Sequence, residues 1–285
     1  MSLFEKVVDT VIAEHPAVEH PGDFRDEQGM LYCGACGRRK EMLLQVAGFP
    51  TRIVPVICKC EQDQIDRENA KEAARKAAER IDNLRKLGLS DPLYEAYSFR
   101  YDDRKDEKAS NIARRYAAGF QDFFRNNIGL MFYGEVGVGK SFLAGCIANA
   151  LIDKGIFALM STVQGLVAEA GKKYGENRDA VIRYVQDADL LILDDFGVER
   201  DTEYMAEQCY EIINARYKAQ KPLIVTTNLS PAAMARENEL SKRRIYERVM
   251  EMCQTIRVEG SSRRMDIAKD KAKIARELLG LEGKP

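Results

Sequence analysis

Residues 128–141 read IGLMFYGEVGVGKS, and this stretch decides the fold class. The run from Ile128 to Tyr133 is apolar and has the length of a short buried strand. The glycines after it match the phosphate-loop pattern of a glycine, four residues and then Gly-Lys-Ser. Apolar residues at helical spacing over 141–154 predict a helix directly after the loop. A strand, a glycine-rich loop and a helix in this order predict an α/β domain that binds nucleotide.

The glycine-rich loop carries the predicted nucleotide site. Its glycines let the backbone curl so that its N–H groups face the phosphates, and the helix presents its positive end to the same anion. Lys140 is expected to reach the β- and γ-phosphates of ATP, and the Ser141 hydroxyl is expected to hold Mg²⁺. A glycine-rich turn with a solvated lysine is the alternative, which the flanking strand and helix disfavour. The predicted nucleotide-binding residues are Gly134, Glu135, Val136, Gly137, Val138, Gly139, Lys140, Ser141 and Phe142.

Two further apolar strands end in polar residues. Residues 190–195 read LLILDD, which predicts a buried strand with two carboxylates at its carboxyl end, where parallel sheets bind ligands. Asp194 fits the carboxylate that binds the Mg²⁺ of the nucleotide, and Asp195 fits the residue that polarises the attacking water. The alternative is that the two acids cap the following turn. Residues 223–228 read LIVTTN, and Asn228 is expected to contact the γ-phosphate and the attacking water. Taken alone, Asn228 is equally typical of a helix cap.

Paired arginines follow in the C-terminal part of the chain. Arg244 and Arg248 lie four residues apart on one face of a predicted helix. In nucleotide hydrolases such arginines supply positive charge to the γ-phosphate of the nucleotide that a neighbouring subunit binds. The alternative is that both arginines belong to an ordinary solvent-exposed helix face. Arg263 and Arg264 follow a Gly-Ser-Ser turn and are expected to sense nucleotide in their own subunit.

Alternating predicted helices and strands from about residue 110 onward predict a parallel sheet covered on both faces. The length of 285 residues suggests about two domains. We expect an N-terminal domain over 1–60, a helical linker over 61–90 and an ATPase domain over 91–285. Residues 61–87 are rich in alanine and pair charges at spacing i, i+4, which predicts a solvated connecting helix, with a partner-binding helix as the alternative.

Four cysteines in the N-terminal segment have the spacing of a metal site. They are Cys33, Cys36, Cys58 and Cys60, in a C-x-x-C and a C-x-C pair that suit tetrahedral Zn²⁺. Four free thiols are the alternative, and His15 or His20 are possible substitute ligands. The other three of the seven cysteines are spread through helical or strand patterns and are interpreted as small core residues. An odd number of cysteines without a secretion signal favours a reducing cytoplasm.

The overall composition excludes some classes of protein. Apolar residues make up 45% and charged residues 31%, which is too apolar for a wholly disordered chain. No apolar stretch is long enough to span a bilayer. The net charge of −1 means that any contact with DNA must come from a local patch. Residues 172–174, Lys-Lys-Tyr, are candidates for that patch, with an ordinary helix end as the alternative.

The motifs together resemble those of the AAA+ ATPases, and within them the DnaC/IstB group. The matching phrases are IGLMFYGEVGVGKSFLAGCIANAL, LLILDDFG, TTNL and RIYERV, and the resemblance covers roughly residues 90–265. It implies a sheet of strand order 5-1-4-3-2, in which the strand before Asn228 lies between the other two motif strands. It also implies an arginine finger at Arg248, with Arg244 as the alternate. Only residues 259–285 follow the last predicted strand, too few for the usual AAA+ lid domain.

The resemblance also implies a function. Asp195 stands where most AAA+ proteins have glutamate, so slow, DNA-stimulated hydrolysis of ATP is expected. The expected activity is loading of the replicative hexameric helicase onto single-stranded DNA, with the N-terminal domain docked on the helicase and the ATPase domains self-associated. An IstB-type transposition helper and a nucleotide-gated zinc adaptor with little hydrolysis are the alternatives.

Overall fold

The structure of the protein is a computed structural model that describes residues 3–174, 178–197, 202–279 and 281. The chain divides into two compact units, Met1–Ala78 and Glu79–Pro285. The predicted linker over 61–90 therefore spans the division between the units. Among the described residues, no helix combines the length and the apolar character needed to cross a membrane.

The described part of the N-terminal unit contains one short helix, two hairpins and the beginning of a long helix. Helix α1 covers Leu3–Glu14. The hairpins pair β1 (Phe24–Arg25) with β2 (Leu31–Tyr32), and β3 (Glu41–Leu44) with β4 (Arg52–Pro55), both antiparallel. Their strands are only two to four residues long. Alternation over so few residues gives no recognisable period, so the sequence did not predict them.

Helix α2 covers Lys59–Gly88, and it confirms that the alanine-rich stretch over 61–87 is helical. Pairs at the predicted i, i+4 spacing form between Glu72 and Lys76 at 3.4 Å and between Asp82 and Lys86 at 2.6 Å. Exposed pairs of this kind contribute only about 0.3–0.5 kcal/mol each, so the alanine-rich sequence is the larger cause of helicity. The helix begins two residues before the predicted start, which places Cys60 in its first turn.

The second unit holds five strands among helices. The elements predicted at 128–133, 141–154, 190–195 and 223–228 are present, with bounds shifted by no more than two residues. The sequence did not predict the 3₁₀ turn at Phe99–Tyr101 or the helices at Pro92–Glu95, Glu107–Ala118, Phe120–Arg125 and Arg263–Leu278. The elements are α3 (Pro92–Glu95), α4 (Glu107–Ala118), α5 (Phe120–Arg125), β5 (Gly129–Tyr133), α6 (Lys140–Ile152), β6 (Ala158–Ser161), α7 (Val163–Tyr174), α8 (Arg178–Asp187), β7 (Leu190–Phe196), α9 (Glu203–Ala219), β8 (Leu223–Thr227), α10 (Pro231–Ala235), α11 (Leu240–Met252), β9 (Cys253–Arg257) and α12 (Arg263–Leu278).

The five strands form one parallel sheet in the order β6-β7-β8-β5-β9. Strand β8 therefore lies between β5 and β7, and the carboxyl ends of these three neighbours meet at one edge. A separate hydrophobic cluster packs on each face of the sheet, as expected for parallel strands covered on both sides. The predicted α/β fold with a parallel sheet is confirmed. Beyond β9 the described residues form one helix, α12, which buries none of its side chains.

Candidate functional site

The loop between β5 and α6 has the backbone that only glycine adopts readily. Gly137 and Gly139 have φ values of +84° and +108°, in the region that side chains disfavour. A Cβ atom on Gly137 would lie 2.3 Å from Ser262 Oγ, and one on Gly139 would lie 2.4 Å from Arg263 Nη1. The glycines thus serve the turn and also admit the chain that leads into α12.

Lys140 joins the loop to the neighbouring strand β8. Its buried ammonium group donates hydrogen bonds to the carbonyls of Gly134 at 3.0 Å and Glu135 at 2.7 Å, and to Asn228 Oδ1 at 2.8 Å. All three ammonium protons therefore have acceptors. Burial lowers the pKa of Lys140, and the charges of the nearby carboxylates oppose that shift. The structure brings together two side chains that lie 88 positions apart in the sequence.

Asp194 is buried at the end of β7 and is held by two hydroxyl groups. Tyr94 donates to Oδ2 at 3.0 Å, and Thr226 donates to Oδ1 at 2.6 Å. The carboxylate of Asp194 and the hydroxyl of Ser141 are hard oxygen ligands of the type that Mg²⁺ prefers. The chemistry of these side chains fits the predicted metal site.

Asp195 lies at an irregularity near the carboxyl end of β7. The register between β7 and β8 shifts after Leu193, and Asp195 has a positive φ of +52°. Irregularities of this kind redirect side chains beside active sites. Its backbone N–H donates to Thr226 Oγ1 at 3.0 Å, while its side chain lines the cavity beside the glycine-rich loop. Burial, and then the charge of Asp194, raise the pKa of Asp195.

A cavity of about 450 Å³ collects most of the predicted nucleotide residues, within the size range of small-molecule sites. Of the other predicted residues, Gly134 and Glu135 contribute the carbonyls that bind Lys140, and Val138 is buried in the core. The predicted residues that line the cavity are Val136, Gly137, Gly139, Lys140, Ser141, Phe142, Asp195, Asn228, Arg263 and Arg264.

The remaining wall of the cavity comes from the chain before the sheet, which the sequence analysis missed. Leu93, Tyr97 and Tyr101 supply an apolar side, and the ring of Tyr97 meets the ring of Phe142 edge to face at 5.4 Å between centroids. These residues, like Tyr94, follow one another at spacings of three and four residues. That spacing is an ordinary core pattern, so it did not distinguish them from packing residues.

Arg263 contacts the glycine-rich loop of its own chain. Its guanidinium donates to Asp103 at 2.6 Å and also to the carbonyl of Val138, and its backbone N–H donates to the carbonyl of Gly137 at 3.0 Å. The hydrogen bond from Arg263 lowers the pKa of the Asp103 carboxyl group. The start of α12 is therefore anchored to the loop.

The two candidate finger arginines lie elsewhere on the second unit. The Arg248 guanidinium carbon lies 5.0 Å from the ring centre of Tyr210 and 5.5 Å from that of Tyr217. Its Nη1 is buried and has no hydrogen-bond partner among the described residues. Arg244 shares with it a separate cavity of about 340 Å³. Neither arginine lines the cavity around Lys140, so within one chain the structure does not bring them to that site.

The four predicted metal ligands converge in the N-terminal unit. The sulfur atoms of Cys33, Cys36, Cys58 and Cys60 all lie within 4.8 Å of one another. Zinc bound at ~2.3 Å by four tetrahedral sulfurs needs separations of about 3.8 Å, so the cluster fits a metal of this kind. Backbone N–H groups of Arg38 and Cys60 lower the pKa of Cys36 to about 6, which favours the ligating thiolate. Neither histidine belongs to the cluster.

A buried ion pair supports the first cysteine turn. Lys40 Nζ lies 2.8 Å from Asp23 Oδ2, and both side chains are almost fully buried. Asp23 Oδ1 accepts a hydrogen bond from the backbone N–H of Gly34 at 2.9 Å. Lys40 and the backbone donors hold the pKa of Asp23 well below its usual range. Lys40, one of three cations that follow the first cysteine pair in the sequence, thus links the chain before β1 to the turn between Cys33 and Cys36.

Residues 61–272 match the family described as IstB-like ATP binding protein. The chain belongs to this family. The predicted resemblance to the DnaC/IstB group is thereby confirmed, and the four-cysteine cluster lies before the matched region.

Two curated relatives match about half of the chain. The replicative helicase loader DnaI of Bacillus subtilis is 27% identical over 147 residues, which are 48% of this chain and 47% of that protein. The replicative helicase loader DnaC of Escherichia coli K12 is 26% identical over 151 residues, 51% of this chain and 60% of that protein. The chain therefore spans only about half the length of the relatives it matches.

A solved structure has the same fold. The crystal structure of the DnaC helicase loader superposes with a TM-score of 0.50 and 25% identity, covering 59% of this chain and 100% of that chain. The family match and this likeness identify the second unit as an ATP-binding domain of the AAA+ type.

Proposed function

We propose that this chain is an ATP-dependent loader that places a hexameric replicative helicase on single-stranded DNA. The observation that carries the ATP-dependent part is the convergence of Lys140, Asn228 and Asp195 on one cavity. Support for the helicase part comes from the relatives, which are named replicative helicase loaders.

Each side chain of the cavity has a task in this proposal. Lys140 exchanges its acceptors on the loop and Asn228 for phosphate oxygens, and the loop amides hold the same anion. Ser141 and Asp194 would hold Mg²⁺, which neutralises developing charge on the phosphates when bound. Asp195 orients and accepts a proton from the attacking water. Arg263 senses the nucleotide from beside the loop.

The arginines of α11 act between subunits in this proposal. Arg248 does not reach the cavity of its own chain, and a finger that serves a neighbour must lie on an outer face. ATP would then hold adjacent ATPase domains together around the DNA strand, with Arg244 as the alternate finger. The candidate DNA contacts Lys172, Lys173 and Tyr174 end helix α7, and their side chains lie outside the described residues.

The N-terminal unit is the proposed docking module for the helicase. The four cysteines would hold one Zn²⁺, which would contribute folding energy rather than chemistry, because four thiolates leave no open coordination position. A unit of this size has little apolar core, and a structural metal is a common substitute.

The family match also favours a second candidate. The IstB-like description points to a helper ATPase that acts with a transposase on duplex DNA. The two functions differ in their DNA substrate and protein partner, which makes them separable by experiment. The N-terminal cysteine cluster, which lies outside the matched residues, favours the helicase loader.

The test measures ATP turnover by the full chain alone, with single-stranded DNA and with duplex DNA, and capture of a purified replicative helicase. We expect single-stranded DNA to stimulate turnover more than duplex DNA, and the helicase to co-elute. Lys140→Ala should bind ATP about ten- to hundredfold more weakly, because hydrogen bonds to a charged partner contribute about 1.5–3 kcal/mol. Stimulation by duplex DNA alone, without helicase capture, would contradict the proposal and support the transposition helper.

A further inference from the structure

The carboxylate of Asp194 has both oxygens engaged by donors from different elements. Thr226 donates to Oδ1 from β8, the neighbouring strand of the sheet. Tyr94 donates to Oδ2 from α3, a short helix that belongs to the chain before the sheet. Tyr94 and Asp194 lie 100 positions apart in the sequence. Rotation of a carboxylate about its last bond is only weakly restricted, so these two donors decide how the group is oriented.

Tyr94 is itself held firmly. Its side chain is 7% exposed, and its backbone carbonyl accepts a hydrogen bond from Asn149 Nδ2 at 2.8 Å. Asp91 caps the first turn of α3 by accepting from the N–H of Leu93, and Pro92 begins the helix. The phenol is therefore placed by α6 and by its own helix, independently of the strand that carries Asp194.

Hydroxyl deletion elsewhere in the core offers a matched comparison. Tyr116 is also buried and also donates one hydrogen bond, to the carbonyl of Ile128 at 2.9 Å. Tyr116 is not among the described residues that line the nucleotide cavity. If the Tyr94 hydroxyl has a purely structural role, Tyr94→Phe and Tyr116→Phe should have the same effect on nucleotide and metal binding.

We propose that Tyr94 is a positioning residue, which orients the Asp194 carboxylate toward the divalent cation that accompanies the nucleotide. The inference rests on the proposed ATPase function and adds to it a residue outside the four sequence motifs. An oxygen of Asp194 that accepts one hydrogen bond keeps a second lone pair, so the carboxylate remains able to hold a metal ion directly or through water. Loss of such an outer partner typically lowers metal affinity about 10- to 100-fold.

The experiment compares the unchanged protein with Tyr94→Phe and Tyr116→Phe. Binding of the non-hydrolysable ATP analogue AMPPNP is measured first in EDTA. The EDTA is then removed, and Mn²⁺ is titrated into each complex and followed by electron paramagnetic resonance. We expect Tyr94→Phe to bind AMPPNP in EDTA as the unchanged protein does and to bind Mn²⁺ about 10- to 100-fold more weakly. Tyr116→Phe should leave both affinities unchanged while it lowers thermal stability to a similar extent.

Three results would overturn the inference. Equal Mn²⁺ affinity in Tyr94→Phe and the unchanged protein would show that the phenol does not orient the carboxylate. A joint loss of AMPPNP and Mn²⁺ affinity would show that the hydroxyl supports the fold and not the metal ligand. Failure of the unchanged protein to bind AMPPNP at all would overturn the proposed function and this inference with it, and that result is recognised before any variant is measured.

Discussion

Replacement of Arg216 by methionine should destabilise the ATPase domain strongly. Arg216 lies on α9, is fully buried, and donates to four backbone carbonyls. The acceptors are Val185 at 2.9 Å, Ala188 at 2.8 Å, Asp189 at 2.9 Å and Pro222 at 2.7 Å. Asp189 and Pro222 directly precede β7 and β8, so this side chain ties together the beginnings of the two strands that lead to Asp194 and Asn228.

The magnitude follows from the carbonyls left without a donor. Methionine has a similar length but no hydrogen-bond donor, and each buried unsatisfied carbonyl costs about 1–3 kcal/mol. Burial lowers the pKa of Arg216 to about 9, so methionine also relieves a desolvation penalty. The carbonyl of Ala188 also accepts from Lys221 Nζ at 3.3 Å, and that of Pro222 accepts from the N–H of Leu191 at 3.4 Å, so these two keep a donor. For Val185 and Asp189 we take the low end of the range and expect a loss of about 2 kcal/mol.

The assay is denaturant unfolding of the full chain, followed by far-ultraviolet circular dichroism with and without ATP. The chain has two units, so the ATPase transition is identified as the one that ATP shifts. Arg115→Met, at an exposed position of α4, is the matched control and should change this transition little. A loss for Arg216→Met no larger than that of the control would refute the argument that the carbonyls depend on this side chain.

Three further predictions concern the site and the cysteine cluster. Asp195→Asn should keep ATP binding and lose turnover. Because the fold raises the pKa of Asp195, its ionised carboxylate destabilises the folded state at pH values above the pKa of the unfolded chain, which is ~4. The variant should therefore unfold at a higher temperature at pH 7, and this gain should disappear below pH ~4. Metal analysis should find one zinc ion per chain in the unchanged protein and none in Cys58→Ser, which should unfold the cysteine module while ATP binding persists. A variant that keeps its zinc would show the ligand set to be wrong. Arg248→Ala should bind ATP but lose DNA-stimulated turnover. When Lys140→Ala subunits are mixed with Arg248→Ala subunits, part of the turnover should return, because some interfaces then combine the intact glycine-rich loop of one subunit with the intact Arg248 of its neighbour. No recovery at any ratio, with co-assembly verified, would leave Arg248 a surface arginine.

The parts of the fold that the sequence predicted are those with long, unbroken patterns. Strand β7 is four apolar residues followed by two acids, and α2 combines alanines with charge pairs, so each has a recognisable type and length. The spacing of the four cysteines also predicted their convergence. In each case the deciding information lies within a few consecutive residues or within one repeated spacing.

The parts that the sequence did not predict depend on contacts between distant segments. Tyr94 has the spacing of a core residue, and only the packing of α3 against α6 places its hydroxyl at Asp194. Asp23 and Lys40 look like ordinary surface charges in a polar segment, and only the fold buries them together. The shift of register at Asp195 likewise appears only in the pairing of β7 with β8.

The central claim is that ATP bound around Lys140 enables this chain to load a ring-shaped helicase. The most direct measurement is unwinding of an oligonucleotide annealed to a closed circle of single-stranded DNA by a purified hexameric replicative helicase, since a closed ring cannot thread onto a circle. We predict that unwinding rises when this protein and ATP are added, and that Lys140→Ala does not raise it. Unwinding that is unchanged by the protein, or raised equally by Lys140→Ala, would contradict the account.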